Sequence, residues 1–169
     1  MSFGDHVILW LHVTAAIFTI GPGTAAIMST PRYIRKRNPV VVGYLFRTTR
    51  IYSVAALLTL IFGLILAGMT HKFSQWWISA SLTLFVVAFV LLVIILRDQR
   101  KALTALDAAE GAAVADAMED SVHGEVAGEG AVKTATADHR AAVERGRIAS
   151  LGGLTALIWL VILIFMVWH

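Results

Sequence analysis

The chain has 169 residues, of which 58% are hydrophobic, and a formal net charge of +3. This apolar fraction exceeds the roughly 45–50% of an ordinary soluble domain, and its concentration in four blocks without Asp, Glu, Lys or Arg argues against a water-soluble fold. Because the sequence contains no cysteine, disulfides, zinc–thiolate sites, iron–sulfur clusters and thiol nucleophiles are excluded.

Each apolar block is about long enough to cross a bilayer, which takes roughly 20 mostly apolar residues. The predicted spans are residues 7–27, 51–69, 77–96 and 151–168. We therefore predict an all-α polytopic membrane protein, a single domain over residues 1–169, with four transmembrane helices. Residues 97–148 are predicted to form a helical cytoplasmic hairpin between spans three and four.

Span one contains the sequence Gly21-Pro22-Gly23, which predicts a bent helix because proline lacks an N–H and clashes with the carbonyl four residues back. Ser29-Thr30-Pro31 is predicted to end the helix. The glycines and proline have two interpretations: they bend span one so that another helix packs closely, or they line a cavity for a lipid, a quinone or a haem edge.

A basic loop is predicted from Arg32 to Arg50, with no acidic residue in it. Short loops of this kind face the cytoplasm. With four spans, both termini are therefore predicted on the outer side of the membrane. The membrane itself is predicted to be the inner membrane of a bacterium. The predicted partner of this loop is the anionic lipid headgroup layer rather than nucleic acid. The basic residues are Arg32, Arg35, Lys36, Arg37, Arg47 and Arg50.

Small residues recur at helical spacing in spans two and four. Gly63 and Ala67 are four residues apart in span two, and Gly152 and Gly153 open span four. Small residues at such spacing allow close approach between helix backbones. These positions are predicted to be packing faces.

The segment between spans three and four is rich in alanine, with a weak point predicted at Gly111 and a flexible turn at Gly124–Gly130. Alanine buries little apolar area, so this hairpin is predicted to have a poor core of its own. We expect it to need a partner in order to be well ordered.

Histidine is the residue type in this sequence that is most able to bind a metal or transfer a proton. His12 lies within span one, and His71 follows span two, where it is predicted to face His12. Imidazoles on facing helices can bind haem iron or copper. The alternatives for His12 are a hydrogen bond to a hydroxyl such as that of Thr59, or to a carbonyl, and a role in proton relay.

A resemblance to known proteins rests on residues around span one. Leu11-His12, Ala15-Ala16-Ile17, Gly21, Gly23 and Pro31-Arg32 together resemble small four-span bacterial membrane proteins related to the CopD copper-resistance domain and to HemJ-type protoporphyrinogen oxidases. The chain looks closest to an uncharacterised integral membrane family near these two. The resemblance implies a four-helix membrane domain with His12 as a candidate haem ligand, although Phe18–Gly23 replaces the Trp-x-Gly-Gly of those relatives.

Two functions are predicted from these features. The first is a non-catalytic accessory subunit, without a cofactor, that packs against a larger membrane complex, with a transport assembly moving lipid as the first expectation and a respiratory complex as the next. The second is a membrane protein that binds haem b or copper through His12 and His71. No catalytic residue is assigned.

Overall fold

The computed structural model describes residues 3–69, 75–120 and 128–168. Four helices make up nearly all of these ranges, and no strand occurs within them. The helices are α1 (Phe3–Arg35), α2 (Pro39–Met69), α3 (Trp76–Asp120) and α4 (Gly128–Trp168). Each contains a segment that is long and apolar enough to span a membrane, which confirms the all-α, four-span fold class.

Helix α1 runs unbroken from Phe3 to Arg35, with Pro22 and Pro31 inside it. The predicted stop at Ser29-Thr30-Pro31 is therefore wrong, and the Gly21-Pro22-Gly23 sequence does not interrupt the helix. A proline removes one backbone hydrogen bond, whereas leaving the helix in an apolar environment would expose many unsatisfied backbone groups. Continuing the helix through both prolines therefore costs less free energy than ending it within the span.

The connection between α1 and α2 is a tight turn rather than the predicted loop of residues 32–50. Asn38 N–H donates to the Tyr33 carbonyl (3.3 Å) and Arg37 N–H to that of Ile34 (3.0 Å), with Arg37 at a φ of 49°. This is a Schellman cap. The Asn38 side chain then accepts from Val41 N–H at 3.1 Å, which starts α2. The turn brings six basic residues to one end of the bundle, which we call the basic end. They are Arg32, Arg35, Lys36, Arg37, Arg47 and Arg50.

The four helices form a bundle in which α1 and α3 each pack against both α2 and α4, and α1 also approaches α3 across the centre. Aromatic side chains fill part of the interface between α3 and α4. The Phe85 ring meets Trp159 edge-on at 5.3 Å and stacks with Phe89 at 6.5 Å, measured between ring centroids. Such pairs add to the stabilisation that burial alone provides.

Helices α3 and α4 continue past the basic end as an antiparallel pair. The predicted weak point at Gly111 is wrong, because α3 passes through it to Asp120. Part of the predicted turn, Gly128–Gly130, already belongs to α4, and the rest lies outside the described residues. The hairpin also has a core near the bundle: Ala102, Leu106 and Ala141 are buried. The expectation of a poor core therefore fails for this part.

Candidate functional site in the polar interior

The interior of the bundle carries more polar side chains than the apolar spans suggest. An unpaired polar group costs free energy when it is buried in an apolar environment. Each of these side chains is therefore expected to have a hydrogen-bond partner or a functional role. Within the described residues, the buried polar side chains are His12, Thr19, Thr30, Thr49, Ser53, Thr59, Ser81, Asp98, Gln99 and Thr155.

His12 lies on the buried face of α1, with 7% of its surface exposed. Its Nδ1 is 2.9 Å from the Thr59 carbonyl oxygen on α2. Because a carbonyl can only accept, Nδ1 carries the hydrogen and the lone pair of the neutral ring is on Nε2. The partner is thus the backbone of Thr59, one of the two bonding alternatives predicted from the sequence, and the bond ties α1 to α2.

Gly63 provides the space that the His12 ring occupies. A Cβ atom at this position would stand 2.9 Å from Cε1 and 3.3 Å from Nδ1 of His12. Gly63 is therefore a close-packing position, as the small-residue pattern predicted. The other residue of this pattern, Ala67, is buried.

The two glycines of α4 differ in their surroundings. A Cβ on Gly152 would lie 2.8 Å from Cγ2 of Ile27 on α1, whereas one on Gly153 would meet nothing within 4 Å. Gly152 is thus a contact between α1 and α4. Within the described residues, Gly153 has no neighbour that a methyl group would touch.

The three residues Gly21, Pro22 and Gly23 also differ in their exposure and packing. Gly21 and Pro22 are exposed, while Gly23 is buried and a Cβ there would come within 3.1 Å of Tyr52 Cβ on α2. Gly23 lines a cavity as well. Gly23 thus packs closely against α2, as the structural interpretation predicts, and it also lines a cavity, which is too small for a lipid, a quinone or a haem edge.

That cavity lies among all four helices. It offers about 20 Å³ to the centre of a water molecule, enough for one ordered water. Hydroxyl groups are frequent in its wall, alongside apolar residues such as Leu92 and Trp159. The hydroxyl-bearing residues are Thr19, Thr24, Thr49, Tyr52 and Ser53.

Gln99 on α3 joins three helices next to this cavity. Its Nε2 donates to the Thr30 hydroxyl on α1 (2.8 Å) and to the Thr49 hydroxyl on α2 (3.2 Å). The side chain is fully buried. Its Oε1 has no hydrogen-bond partner among the described residues, so one strong acceptor in the interior is left unsatisfied.

An ionic cluster lies beside Gln99 at the start of the hairpin. The Asp98 carboxylate is almost fully buried and lies 3.4 Å from Arg147 of α4, whose guanidinium also approaches Glu144 at 3.8 Å. Lys101 is 4.0 Å from Glu144. Since Arg147 contacts both carboxylates, it balances the like charges that Asp98 and Glu144 place close together.

The remaining predicted site residues have mixed outcomes. His71 lies outside the described residues, so its pairing with His12 stays a prediction. Within the described ranges, no group of three or more His, Asp or Glu side chains is arranged to hold a metal ion. The six basic residues, all exposed, lie together at the basic end, and their binding to lipid headgroups stays a prediction.

A comparison with protein families identifies the chain more closely. Residues 6–128 match a family described as predicted integral membrane protein (DUF2269). The chain belongs to this family. The match covers α1 from His6 onward, all of α2 and α3, and the first residue of α4. The DUF2269 match supports an uncharacterised membrane family, but it lends no support to a relationship with CopD or HemJ. No curated protein and no solved structure matches the chain significantly.

Sequence reasoning missed Asp98 and Gln99, although only Arg97 separates them from the apolar part of α3. The available signal was their helical position. Asp98 and Gln99 continue the buried face of Leu92 and Ile95, at spacings of three and four residues. Extending the apolar periodicity past the span boundary would have predicted their burial.

Proposed function

We propose that this DUF2269 protein is a non-catalytic accessory subunit of a larger membrane assembly, and that the far part of its hairpin contacts the partner. This part, the distal hairpin, comprises residues 107–120 of α3 and 128–140 of α4. The proposal includes the predicted orientation in a bacterial inner membrane, with the hairpin in the cytoplasm and both termini outside. A transport assembly is the first partner class to test, beginning with one that moves lipid.

One observation carries this proposal: no side chain that the structure describes in the distal hairpin is buried. Beyond Leu106, none of the α3 side chains that the structure describes is buried. Val114 and Met118 are 51% and 67% exposed although they lie outside the apolar spans. Helices gain most of their stability from packing of an apolar face, so a partner surface would stabilise this segment.

The charge of the distal hairpin indicates the chemistry of that partner. Residues 107–129 contain no Lys or Arg, and the rest of the distal hairpin adds two bases, Lys133 and Arg140, and one acid, Asp138. An excess of one sign of charge favours a partner of opposite charge and suppresses others, so the partner surface is expected to be basic. The acidic residues of positions 107–129 are Asp107, Glu110, Asp116, Glu119, Asp120, Glu125 and Glu129.

Shortening the hairpin tests this role without disturbing the bundle. Replacing residues 109–137 by a short Gly-Ser linker keeps the buried Leu106 and Ala141 and the ion pairs of Glu144. We expect the variant to insert and to unfold at the temperature of the unaltered protein, but to migrate as a smaller species on native gels of mildly solubilised membranes.

The matched control keeps the length of the hairpin and changes only its charge. In it, the seven acidic residues of positions 107–129 become Asn or Gln. If this variant also loses the larger species on native gels, the acidic charges of the hairpin are what the partner binds. If the shortened protein still migrates in the full-size assembly, the distal hairpin is not the contact and the proposal fails.

A second candidate function is haem or copper binding at His12. The observation that favours it is the Nδ1–H bond to the Thr59 carbonyl at 2.9 Å, because metal-ligating histidines commonly donate the other ring N–H to a carbonyl. The hydrogen bonding of His12 is therefore that of a possible metal ligand. Its ring is closely packed against Gly63, which leaves little room for a haem beside it, and we rank this candidate second.

An absorption spectrum separates the two candidates. If His12 binds haem, the detergent-purified protein will show a Soret band and, when reduced, α and β bands, all of which the His12→Ala variant loses while still inserting. Because Cu(I) is colourless, metal analysis of the same samples covers copper. A featureless spectrum with no His12-dependent copper would remove this candidate.

A further inference from the structure

Helices α2 and α3 are level with each other where their apolar spans end. The Thr49 hydroxyl on α2 accepts a hydrogen bond from Gln99 on α3 at 3.2 Å, which places these two residues side by side. Arg50 and Arg100 directly follow them, and both are exposed. Arg50 directly precedes the predicted span of residues 51–69, and Arg100 lies about 6 Å beyond the predicted span of residues 77–96 at 1.5 Å per residue. Both arginines therefore stand at the same membrane boundary.

Two further arginines extend this pair. Arg47 precedes Arg50 by three residues on α2, and Arg97 precedes Arg100 by three residues on α3. Residues three apart are neighbours on the surface of a helix, and both added arginines are exposed. These four residues, Arg47, Arg50, Arg97 and Arg100, are called here the arginine cluster. Two helices thus contribute equally to one concentration of positive charge.

The arginine cluster borders the contact between α2 and α3. Leu103 follows Arg100 by three residues, and both of its Cδ atoms would lie 3.8 Å from a Cβ atom on Gly43 of α2. The side of α3 that carries Arg100 therefore adjoins α2. A molecule that lies in the groove outside this contact can reach arginines from both helices.

The charges of the arginine cluster are not neutralised within the part of the chain that the structure describes. The ion pairs found there lie on the side of α3 that faces α4, where Arg147 contacts both Asp98 and Glu144. Lys101 also approaches Glu144 on that side. Helix α2 contains no acidic residue, and Asp98 is buried beside Arg147. The cluster is therefore available to an anion from outside the chain.

Apolar side chains continue the same surface into the membrane. Val54 lies one turn from Arg50 on α2 and is 61% exposed, and Val93 lies two turns from Arg100 on α3 and is 43% exposed. A molecule along this groove would meet positive charge at one end and an apolar surface over the rest. A free phosphate ion would use only the charged end, whereas an anionic lipid would use both.

We propose that the arginine cluster and the apolar groove beside it bind an anionic phospholipid. The phosphate lies between Arg50 and Arg100, and an acyl chain lies along Val54 and Val93. Guanidinium groups bind phosphate through paired N–H donors, and basic pockets between transmembrane helices bind anionic headgroups. The sequence predicts headgroup contact only for the loop of residues 32–50, whereas α3 supplies half of this site. The inference is independent of the proposed accessory role.

Thermal unfolding of the full-length protein, purified in a non-ionic detergent and stripped of lipid, tests the proposal. Phosphatidylglycerol, phosphatidylcholine or sodium phosphate is added at equal phosphate concentration, and tryptophan fluorescence reports unfolding. We expect phosphatidylglycerol to raise the melting temperature saturably, by about 3–6 °C at ten times its dissociation constant. Phosphatidylcholine has no net charge and the phosphate ion has no acyl chain, so each should raise it much less.

Three results would overturn the proposal. A melting temperature that phosphatidylglycerol does not change would mean that the groove binds no such lipid. An equal rise with phosphatidylcholine would mean that the arginines do not select the headgroup. An equal rise with sodium phosphate would assign the arginine cluster to a soluble anion instead of a lipid.

Two double variants that remove equal charge locate the site. Arg50→Gln with Arg100→Gln removes half of the arginine cluster, and Arg32→Gln with Arg35→Gln removes two exposed charges of the basic end on α1. We expect the first variant to weaken the response to phosphatidylglycerol by about 10- to 30-fold and the second to retain it. If the first does not fold, Arg47→Gln with Arg97→Gln replaces it. Equal losses in both variants would indicate diffuse attraction to the headgroups and would also overturn the proposal.

Discussion

Gly63→Ala is expected to lower the stability of the bundle by about 1–3 kcal/mol, the usual cost of overpacking a tight site. The added Cβ would lie 2.9 Å from Cε1 of His12, so the ring must move and its 2.9 Å bond to the Thr59 carbonyl is lost or lengthened. The effect opposes the intrinsic preference of helices for alanine over glycine. Thermal unfolding in detergent, followed by tryptophan fluorescence, measures it.

Two further variants assign the effect to the ring. Gly153→Ala makes the same chemical change where a Cβ meets nothing within 4 Å, and it should leave stability unchanged or slightly increased. In a His12→Ala background, Gly63→Ala should cost much less than in the unaltered protein, because the clash is gone. Equal effects at Gly63 and Gly153 would contradict the close contact with His12.

Arg147→Met is expected to destabilise the protein by on the order of 2 kcal/mol. It removes the cation that lies 3.4 Å from the buried Asp98 carboxylate and 3.8 Å from Glu144. Leaving a buried charge unpaired costs roughly 3–5 kcal/mol in a fully buried pair, and the half-exposed position of Arg147 reduces that figure through solvent screening. Thermal or denaturant unfolding in detergent gives the value.

The rescue variant for this prediction is Asp98→Asn. Combined with Arg147→Met, it removes the unpaired charge and should recover most of the lost stability. Arg140→Met, at an exposed position on the same helix, serves as the control and should have little effect. Should Arg147→Met and Arg140→Met prove equally mild, the ion pair with Asp98 does not stabilise the fold.

The sequence predicts the number and type of the helices well, because uninterrupted apolar runs are a strong signal for membrane spans. It predicts their ends poorly. The local pattern predicts that α1 stops at Ser29-Thr30-Pro31, yet the helix continues through Pro31 to Arg35. In an apolar environment, the cost of unsatisfied backbone groups outweighs the local preference of proline, and that competition is not visible in a local pattern.

The candidate site is predictable only in part. His12 and Gly63 were each identified, one as an ionisable residue in a span and the other as a small residue at packing spacing. Their contact was not predicted, because it depends on how α1 and α2 align along their lengths. Gln99 was missed because it falls just beyond the apolar run, although the turn at Asn38 brings Thr30 and Thr49 to it.

The continuity of α3 has a mechanical consequence. Its 45 residues form one helix without an irregular segment between the apolar span and the hairpin, about 68 Å long at 1.5 Å per residue. A rod of this kind behaves as a lever, and Gln99 and Asp98 lie near its middle, where it leaves the bundle. A sideways push on the far end of the hairpin would tilt the rod about that region and strain the bonds that hold Gln99 between α1 and α2.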